Sequence, residues 1–184
     1  MPRRHPSLLP RTWLMTDERL GDRLLDIVRR LPPGTGIVLR HYATPTAERR
    51  RLFNRVLRIT RSRHLLVLRA GPLRLAAREA GVHGRHAVRG RPAIRTMPVH
   101  DPAELRLARR ARADLVFLSP VFATRSHPGA PPLDRSRLRR LVIGAPAPVI
   151  LLGGMNVRRV RGLNWRGIYG WAGIEAFSGG MARR

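Results

Sequence analysis

The chain has 184 residues and carries 37 basic side chains against 11 acidic ones, which gives a formal net charge of +26. All 37 basic side chains are arginine and the sequence contains no cysteine, which excludes disulfides, thiolate metal sites and a cysteine nucleophile. Hydrophobic residues make up 43% of the chain, enough for the core of one domain, and no apolar run is long enough for a membrane-spanning helix. No secretory signal follows the basic N-terminus, so we expect a cytoplasmic protein.

The first half of the chain alternates short apolar segments with amphipathic ones, a pattern typical of strands followed by helices. Pro45 at the start of the second amphipathic segment indicates a helix beginning, and Pro32 with the next two residues ends the first. The pattern predicts strands at 12–17, 36–42, 64–69 and 81–84, and helices at 19–31, 45–61 and 72–80.

The second half repeats the alternation after a loop predicted at 85–92. Asp101 is suited to cap a helix, with Pro102 at the first helical position and Glu104 at the third, and Asn156 is suited to cap a later short helix. The pattern predicts strands at 93–99, 115–122, 149–152 and 167–174, and helices at 102–112, 133–144 and after 156, with a loop at 123–132.

The strands are apolar at nearly every position, which indicates burial on both faces and hence a parallel sheet. About eight strand-plus-helix units in series predict a short (β/α)8 TIM barrel, in the α/β class. A doubly wound open sheet is the alternative fold, but neither G-x-G-x-x-G nor a Walker motif is present to support it. We expect a basic N-terminal extension at 1–11, one barrel domain at 12–178 and a flexible tail at 179–184.

The excess of arginine has two interpretations. A sequence pI near 12.0 is typical of nucleic-acid binders, but the arginines are spread along the chain and only 5% of residues are aromatic. Nonspecific binding of RNA or another polyanion is therefore expected at low salt. The planar guanidinium also suits phosphate, so a small phosphorylated substrate is the other expected partner. The oligomeric state is not predicted.

Between Trp13 and Ala176 the chain resembles the thiamine-phosphate synthase/TenI superfamily of small barrels. Five segments, together with Arg40 in the second strand, follow the order of that family's motifs. They are Leu14-Met15-Thr16-Asp17, Gly81-Val82-His83-Gly84, Val99 through Glu104, Ala113 through Ser126, and Val149 through Met155.

The resemblance implies a transferase that couples an aminopyrimidine-methyl diphosphate to a thiazole phosphate and releases pyrophosphate. It implies catalytic roles for Arg40 and His127 at the carboxyl ends of the strands. It also implies substrate and phosphate contacts from Tyr42, Ser119, Thr124, Arg125, Ser126, Gly153, Gly154, Ile174 and Glu175. The two glycines favour phosphate because their backbone N–H groups approach an oxyanion closely, beside a helix start.

The family reaction also implies Mg²⁺, but the residues expected to hold it are replaced. Leu68-Arg69-Ala70 stands where the family carries an Asn-Asp pair, and Gly84-Arg85-His86 stands where it carries another carboxylate. The sequence alone therefore proposes no metal site, and Arg69 and Arg85 are candidates for the missing positive charge. A noncatalytic or diverged phosphate-ligand-binding barrel is one alternative function, and a binder of RNA or another polyanion is the second.

Several positions along this site have two interpretations. Arg40 inside an apolar strand indicates either a ligand contact or an ion pair with an acid such as Asp17. Because strand neighbours alternate, we expect Arg40 and Tyr42 to point into the barrel mouth and His41 towards the helices. His83 is interpreted as a hydrogen-bonded structural residue.

Overall fold

The computed structural model describes residues 9–87, 90, 92–123, 131–162 and 167–177. Most of the predicted N-terminal extension and the whole predicted tail at 179–184 lie outside these residues. The strands are β1 (Thr12–Met15), β2 (Gly36–Leu39), β3 (Leu66–Ala70), β4 (Val82–His83), β5 (Arg95–Val99), β6 (Leu115–Leu118), β7 (Val149–Leu151) and β8 (Ile168–Gly173). The helices are α1 (Arg23–Arg30), α2 (Thr46–Thr60), α3 (Pro102–Arg110), α4 (Arg135–Gly144) and α5 (Val157–Arg161).

The eight strands form one closed parallel barrel in sequence order, which confirms the predicted (β/α)8 architecture. Each strand pairs with the next along the chain, and β1 closes the barrel against β8 through Thr12 opposite Trp171. Because all strands are parallel, their carboxyl ends meet at one face of the barrel, where the loops after each strand converge.

Side chains of alternate strand residues fill two separate layers. One buried cluster consists largely of strand residues and occupies the barrel interior, with Trp13, Met15, Leu68 and Phe117 among its members. The other joins the opposite faces of the strands to the helices. The interior is tight, since a Cβ on Gly36 would lie 2.2 Å from the Trp13 ring. The interior of the barrel is thus a packed core and not a pore, and the groups that a ligand can reach lie at its ends.

The helix starts follow local capping chemistry. The Asp101 carboxylate accepts a hydrogen bond from the Glu104 amide at 2.8 Å, with Pro102 at the first helical position. Asn156 accepts from the Arg159 amide at 2.9 Å. Both caps confirm the sequence prediction, because a cap depends on residues only three positions apart.

The helix predicted at 72–80 is wrong, since residues 71–81 form turns with no helical segment. The reason is the Glu79 carboxylate, which accepts from the Leu75 amide at 2.6 Å and the Ala76 amide at 3.1 Å. Its other oxygen binds the Arg69 guanidinium at 2.6 Å. These bonds satisfy backbone donors in a turn, so the segment no longer needs helical hydrogen bonds.

Other boundaries are shorter than predicted. The amphipathic segment at 19–31 is broken at Gly21 (φ +47°) into a 3₁₀ turn, Glu18–Leu20, and α1. Strand β2 ends at Leu39 and β6 at Leu118, three and four residues before the predicted ends. Among the described residues, no helix is long and apolar enough to cross a membrane.

Candidate functional site

The carboxyl ends of the strands bring together most of the predicted site residues that the structure describes. Arg40 follows β2, Ser119 follows β6, the glycine pair follows β7, and Ile174 with Glu175 follows β8. The predicted residues Thr124, Arg125, Ser126 and His127 lie outside the described residues. The described part of the candidate site is therefore a ring of loops over the packed interior.

Arg40 lies at the mouth of the barrel and is held by the loop after β1. Its Nε donates to the Thr16 carbonyl at 2.9 Å, and its Nη2 lies 3.1 Å from an Asp17 carboxylate oxygen. Burial lowers the pKa of this guanidinium, and the Asp17 charge opposes that shift. A hydrogen bond from Arg19 lowers the pKa of Asp17, which therefore stays charged beside Arg40. Arg40 therefore both forms an ion pair with Asp17 and lies at the mouth of the barrel.

Tyr42 does not continue the alternation of β2. His41 has a φ of +35°, which turns the chain after the strand ends, and the Tyr42 residue is 61% exposed. Its ring lies 5.3 Å from the Arg49 guanidinium carbon, on the rim and not inside the mouth. The prediction that Tyr42 points into the barrel with Arg40 is therefore wrong, because a strand pattern cannot anticipate a left-handed residue.

His41 is buried beside the end of β1. Its Nδ1 lies 2.9 Å from the Thr16 hydroxyl, which accepts from the Arg40 amide and is free to donate to that nitrogen. Burial lowers the pKa of His41. Thr16 thus links the ends of β1 and β2 and fixes the backbone that carries Arg40.

His83 of β4 is a titratable side chain buried in the interior beneath the mouth. Its Nδ1 lies 2.9 Å from the Thr96 hydroxyl, and its ring meets Phe117 edge to face at 4.9 Å. Burial, with a smaller contribution from the Arg40 charge, lowers the pKa of His83 to about 3. His83 is therefore a neutral hydrogen-bonded residue at neutral pH.

Gly153 and Gly154 form a tight turn that presents backbone donors. Their φ values are +99° and +60°, and neither amide donates a hydrogen bond to another described residue. The turn packs closely, because a Cβ on Gly153 would lie 2.8 Å from the Pro120 Cα. Helix α5 after the turn has only five residues, so its dipole adds little. The two amides, which have no partner among the described residues and are called the free amides below, therefore support oxyanion binding more strongly than the dipole of α5 does.

A divalent metal does not fit the described residues at this face. Mg²⁺ prefers carboxylate oxygens, but Leu68-Arg69-Ala70 at the end of β3 and Gly84-Arg85-His86 after β4 contain no carboxylate. Of the acidic side chains at this face, Asp17 and Glu104 are each bound by positively charged or N–H groups. Within the described ranges no group of three or more histidine, aspartate or glutamate side chains is arranged to hold a metal ion.

Sequence reasoning missed one cluster on this face. Glu104 was predicted as part of a helix start, but its carboxylate also binds Arg85 and the His100 ring. A signal was present in the sequence, because Arg85 follows β4 and His100 follows β5, and neighbouring strands of the barrel end side by side. Exposed Glu175 lies 3.9 Å from Arg19, and Ile174 is half-buried beside it.

Sequence comparisons find similar proteins over nearly the whole chain. A family model described as thiamine monophosphate synthase matches residues 13–177. The chain is 29% identical to "Putative thiamine-phosphate synthase 2" of Aquifex aeolicus (strain VF5) over 182 residues, covering 92% of this chain and 98% of that protein.

Two solved structures share the fold. Thiamine phosphate pyrophosphorylase from Pyrococcus furiosus superposes with a TM-score of 0.78 at 24% identity, covering 93% of this chain and 88% of that one. FabK from Thermotoga maritima superposes with a TM-score of 0.67 at 16% identity, covering 96% of this chain and 65% of that one. At these identities the likeness supports the barrel fold alone.

Proposed function

The chain belongs to the thiamine monophosphate synthase family, and from this premise we propose that it is a thiamine-phosphate synthase-like transferase. Its substrates would be an aminopyrimidine-methyl diphosphate and a thiazole phosphate. In the reaction the bond between the methylene carbon and the diphosphate oxygen breaks, and pyrophosphate leaves with the electron pair. The thiazole ring nitrogen then forms the new bond to the methylene carbon.

The observation that carries the proposal is the pair of free amides at Gly153 and Gly154. Two adjacent N–H donors that have no partner among the described residues, at the carboxyl ends of barrel strands, suit the phosphate of a substrate. In our proposal they bind the thiazole phosphate and fix the ring nitrogen towards the centre of the mouth. Bringing the two reactants together in this way accounts for part of the rate enhancement.

Arg40 supplies positive charge in the same mouth. Its Nε and Nη2 are already held by the loop after β1, which orients the guanidinium and leaves Nη1 for a substrate. Charge that develops on the leaving diphosphate oxygen is stabilised by a cation that needs no rearrangement. We assign Arg40 this role.

The direct test is to incubate the full chain with both substrates and to measure thiamine phosphate and pyrophosphate. We expect product from the wild-type chain and at least a hundredfold loss of kcat/KM in Arg40→Ala. Arg30→Ala is the matched control, because it removes the same charge from the exposed end of α1. Absence of product under every condition would reject the transferase.

The second candidate function is a phosphate-ligand-binding barrel without catalysis. The absence of carboxylates from Leu68-Arg69-Ala70 and Gly84-Arg85-His86, where the family carries them, favours it. Such a protein would bind thiamine phosphate or thiazole phosphate, seen as a rise in Tm, yet form no product. A rise of the same size with every polyanion that disappears at about 150 mM salt would instead indicate nonspecific binding through the arginine-rich surface.

A further inference from the structure

Glu104 joins two side chains at the carboxyl face of the barrel. It lies in the first turn of α3 and is buried, with one oxygen bound by Arg85 Nη1. Its other oxygen accepts from the His100 amide at 2.7 Å and lies 2.8 Å from His100 Nδ1. The carboxylate therefore holds one residue from the loop after β4 and one from the loop after β5.

Arg85 and His100 each keep polar atoms that do not bond to Glu104. The Arg85 side chain is 49% exposed, and Nε and Nη2 have no partner within the part of the chain that the structure describes. His100 is 45% exposed, and Nδ1 is occupied, which leaves Nε2 available. A guanidinium fixed at one nitrogen still offers its remaining N–H groups to an anion, and phosphate oxygens match their spacing.

Arg69, the other arginine near the replaced carboxylates, is excluded from such a role. Its side chain is 8% exposed and faces Glu79, with which it forms a buried ion pair, and it also donates to the Gly71 carbonyl. Its hydrogen bonds stabilise the turns between β3 and β4. Of these two candidates for positive charge at the site, only Arg85 is accessible.

Other charged groups adjoin the cluster. Arg137 of α4 lies with Nη2 3.4 Å from the His100 carbonyl and adds a further positive charge. The Asp101 carboxylate is used as the cap of α3, and Glu104 is bound on both oxygens. An anion beside Arg85 and His100 would therefore face N–H donors and not an unbound carboxylate.

We propose that Arg85 and His100, positioned by Glu104, bind the diphosphate group of the substrate directly, without a divalent cation. The inference rests on the proposed function and deepens it, since it assigns the leaving group to this cluster. It also accounts for the poor fit of a metal ion, because Arg85 supplies the positive charge where the family's carboxylate would bind one.

The test is calorimetric titration of the full chain with inorganic pyrophosphate at about 150 mM salt, once with EDTA and once with Mg²⁺. We expect binding in EDTA, and a loss of affinity of about tenfold or more in Arg85→Ala, as for a charged hydrogen bond. Arg110→Ala is the matched control, since it removes an equal charge at the far end of α3. Circular dichroism checks that the variants fold. Where a variant does not fold, the wild-type titration in EDTA still shows whether pyrophosphate binding needs Mg²⁺, and absence of binding there overturns the proposal.

The outcomes separate this proposal from the transferase. Binding that requires Mg²⁺, or that falls equally in both variants, overturns the metal-independent site. Thiamine phosphate formation that proceeds only with Mg²⁺ overturns it too and leaves the transferase standing. Pyrophosphate binding through Arg85 in EDTA, with no product from the two substrates, supports the anion site and rejects the transferase.

Discussion

His83 should make the protein less stable in mild acid by a predictable amount. The imidazole is enclosed in the barrel interior, bonded to Thr96 and packed against Phe117, so burial lowers its pKa to about 3. In the unfolded chain a histidine has a pKa of about 6.5. Between these two values the unfolded chain binds a proton that the folded chain excludes.

The sign and size of the effect follow from proton linkage. The contribution of neutral His83 is fully present above the unfolded pKa and is lost as the pH falls below about 6.5. Each pH unit in this window changes the free energy of unfolding by up to about 1.4 kcal/mol. From pH 7.5 to pH 4.5 one such group costs about 2.5 kcal/mol.

The assay is urea unfolding of the wild-type chain and of His83→Gln at pH 7.5 and 4.5. Glutamine does not titrate but can still hydrogen-bond Thr96. Burial also lowers the pKa of His41, so the difference between the two proteins isolates His83. We expect the wild type to lose about 2.5 kcal/mol more than the variant. Equal losses in both proteins would refute the argument that His83 stays neutral in the fold.

Three other substitutions, the first with Gly34→Ala as its control, probe the loops of the candidate site. Gly153→Ala should lower the free energy of unfolding by about 3–5 kcal/mol, against about 1–2 kcal/mol for Gly34→Ala, in urea titrations. Both glycines have positive φ, but a Cβ meets the Pro120 backbone at Gly153 and nothing within 4 Å at Gly34; equal costs would contradict the close approach. Glu79→Gln leaves Arg69 buried without its charge partner, so calorimetry should show a loss of about 3 kcal/mol, and a change below about 0.5 kcal/mol would contradict it. Gly154→Asp should abolish the rise in Tm with thiamine phosphate, since it places a side chain and a negative charge at the free amides; an unchanged rise would place the phosphate elsewhere.

The sequence by itself determined the barrel and much of its helix chemistry. Continuous apolar strands between amphipathic segments require a parallel sheet covered on both faces, and this pattern is a property of local sequence. The caps at Asp101 and Asn156 could be predicted for the same reason, because each bond spans three residues. The position of Gly153 and Gly154 after β7 likewise followed from the end of an apolar run.

Only the tertiary structure decided which groups are accessible at the mouth. Arg69 and Arg85 were equivalent candidates in the sequence, yet Arg69 is buried against Glu79 while Arg85 stays half exposed. Tyr42 leaves the predicted alternation because of one left-handed residue before it. Such outcomes depend on contacts between residues far apart along the chain and on single backbone angles, and neither produces a periodic pattern. The pairing of Arg85 with Glu104 exists because β4 and β5 are neighbours in a closed barrel.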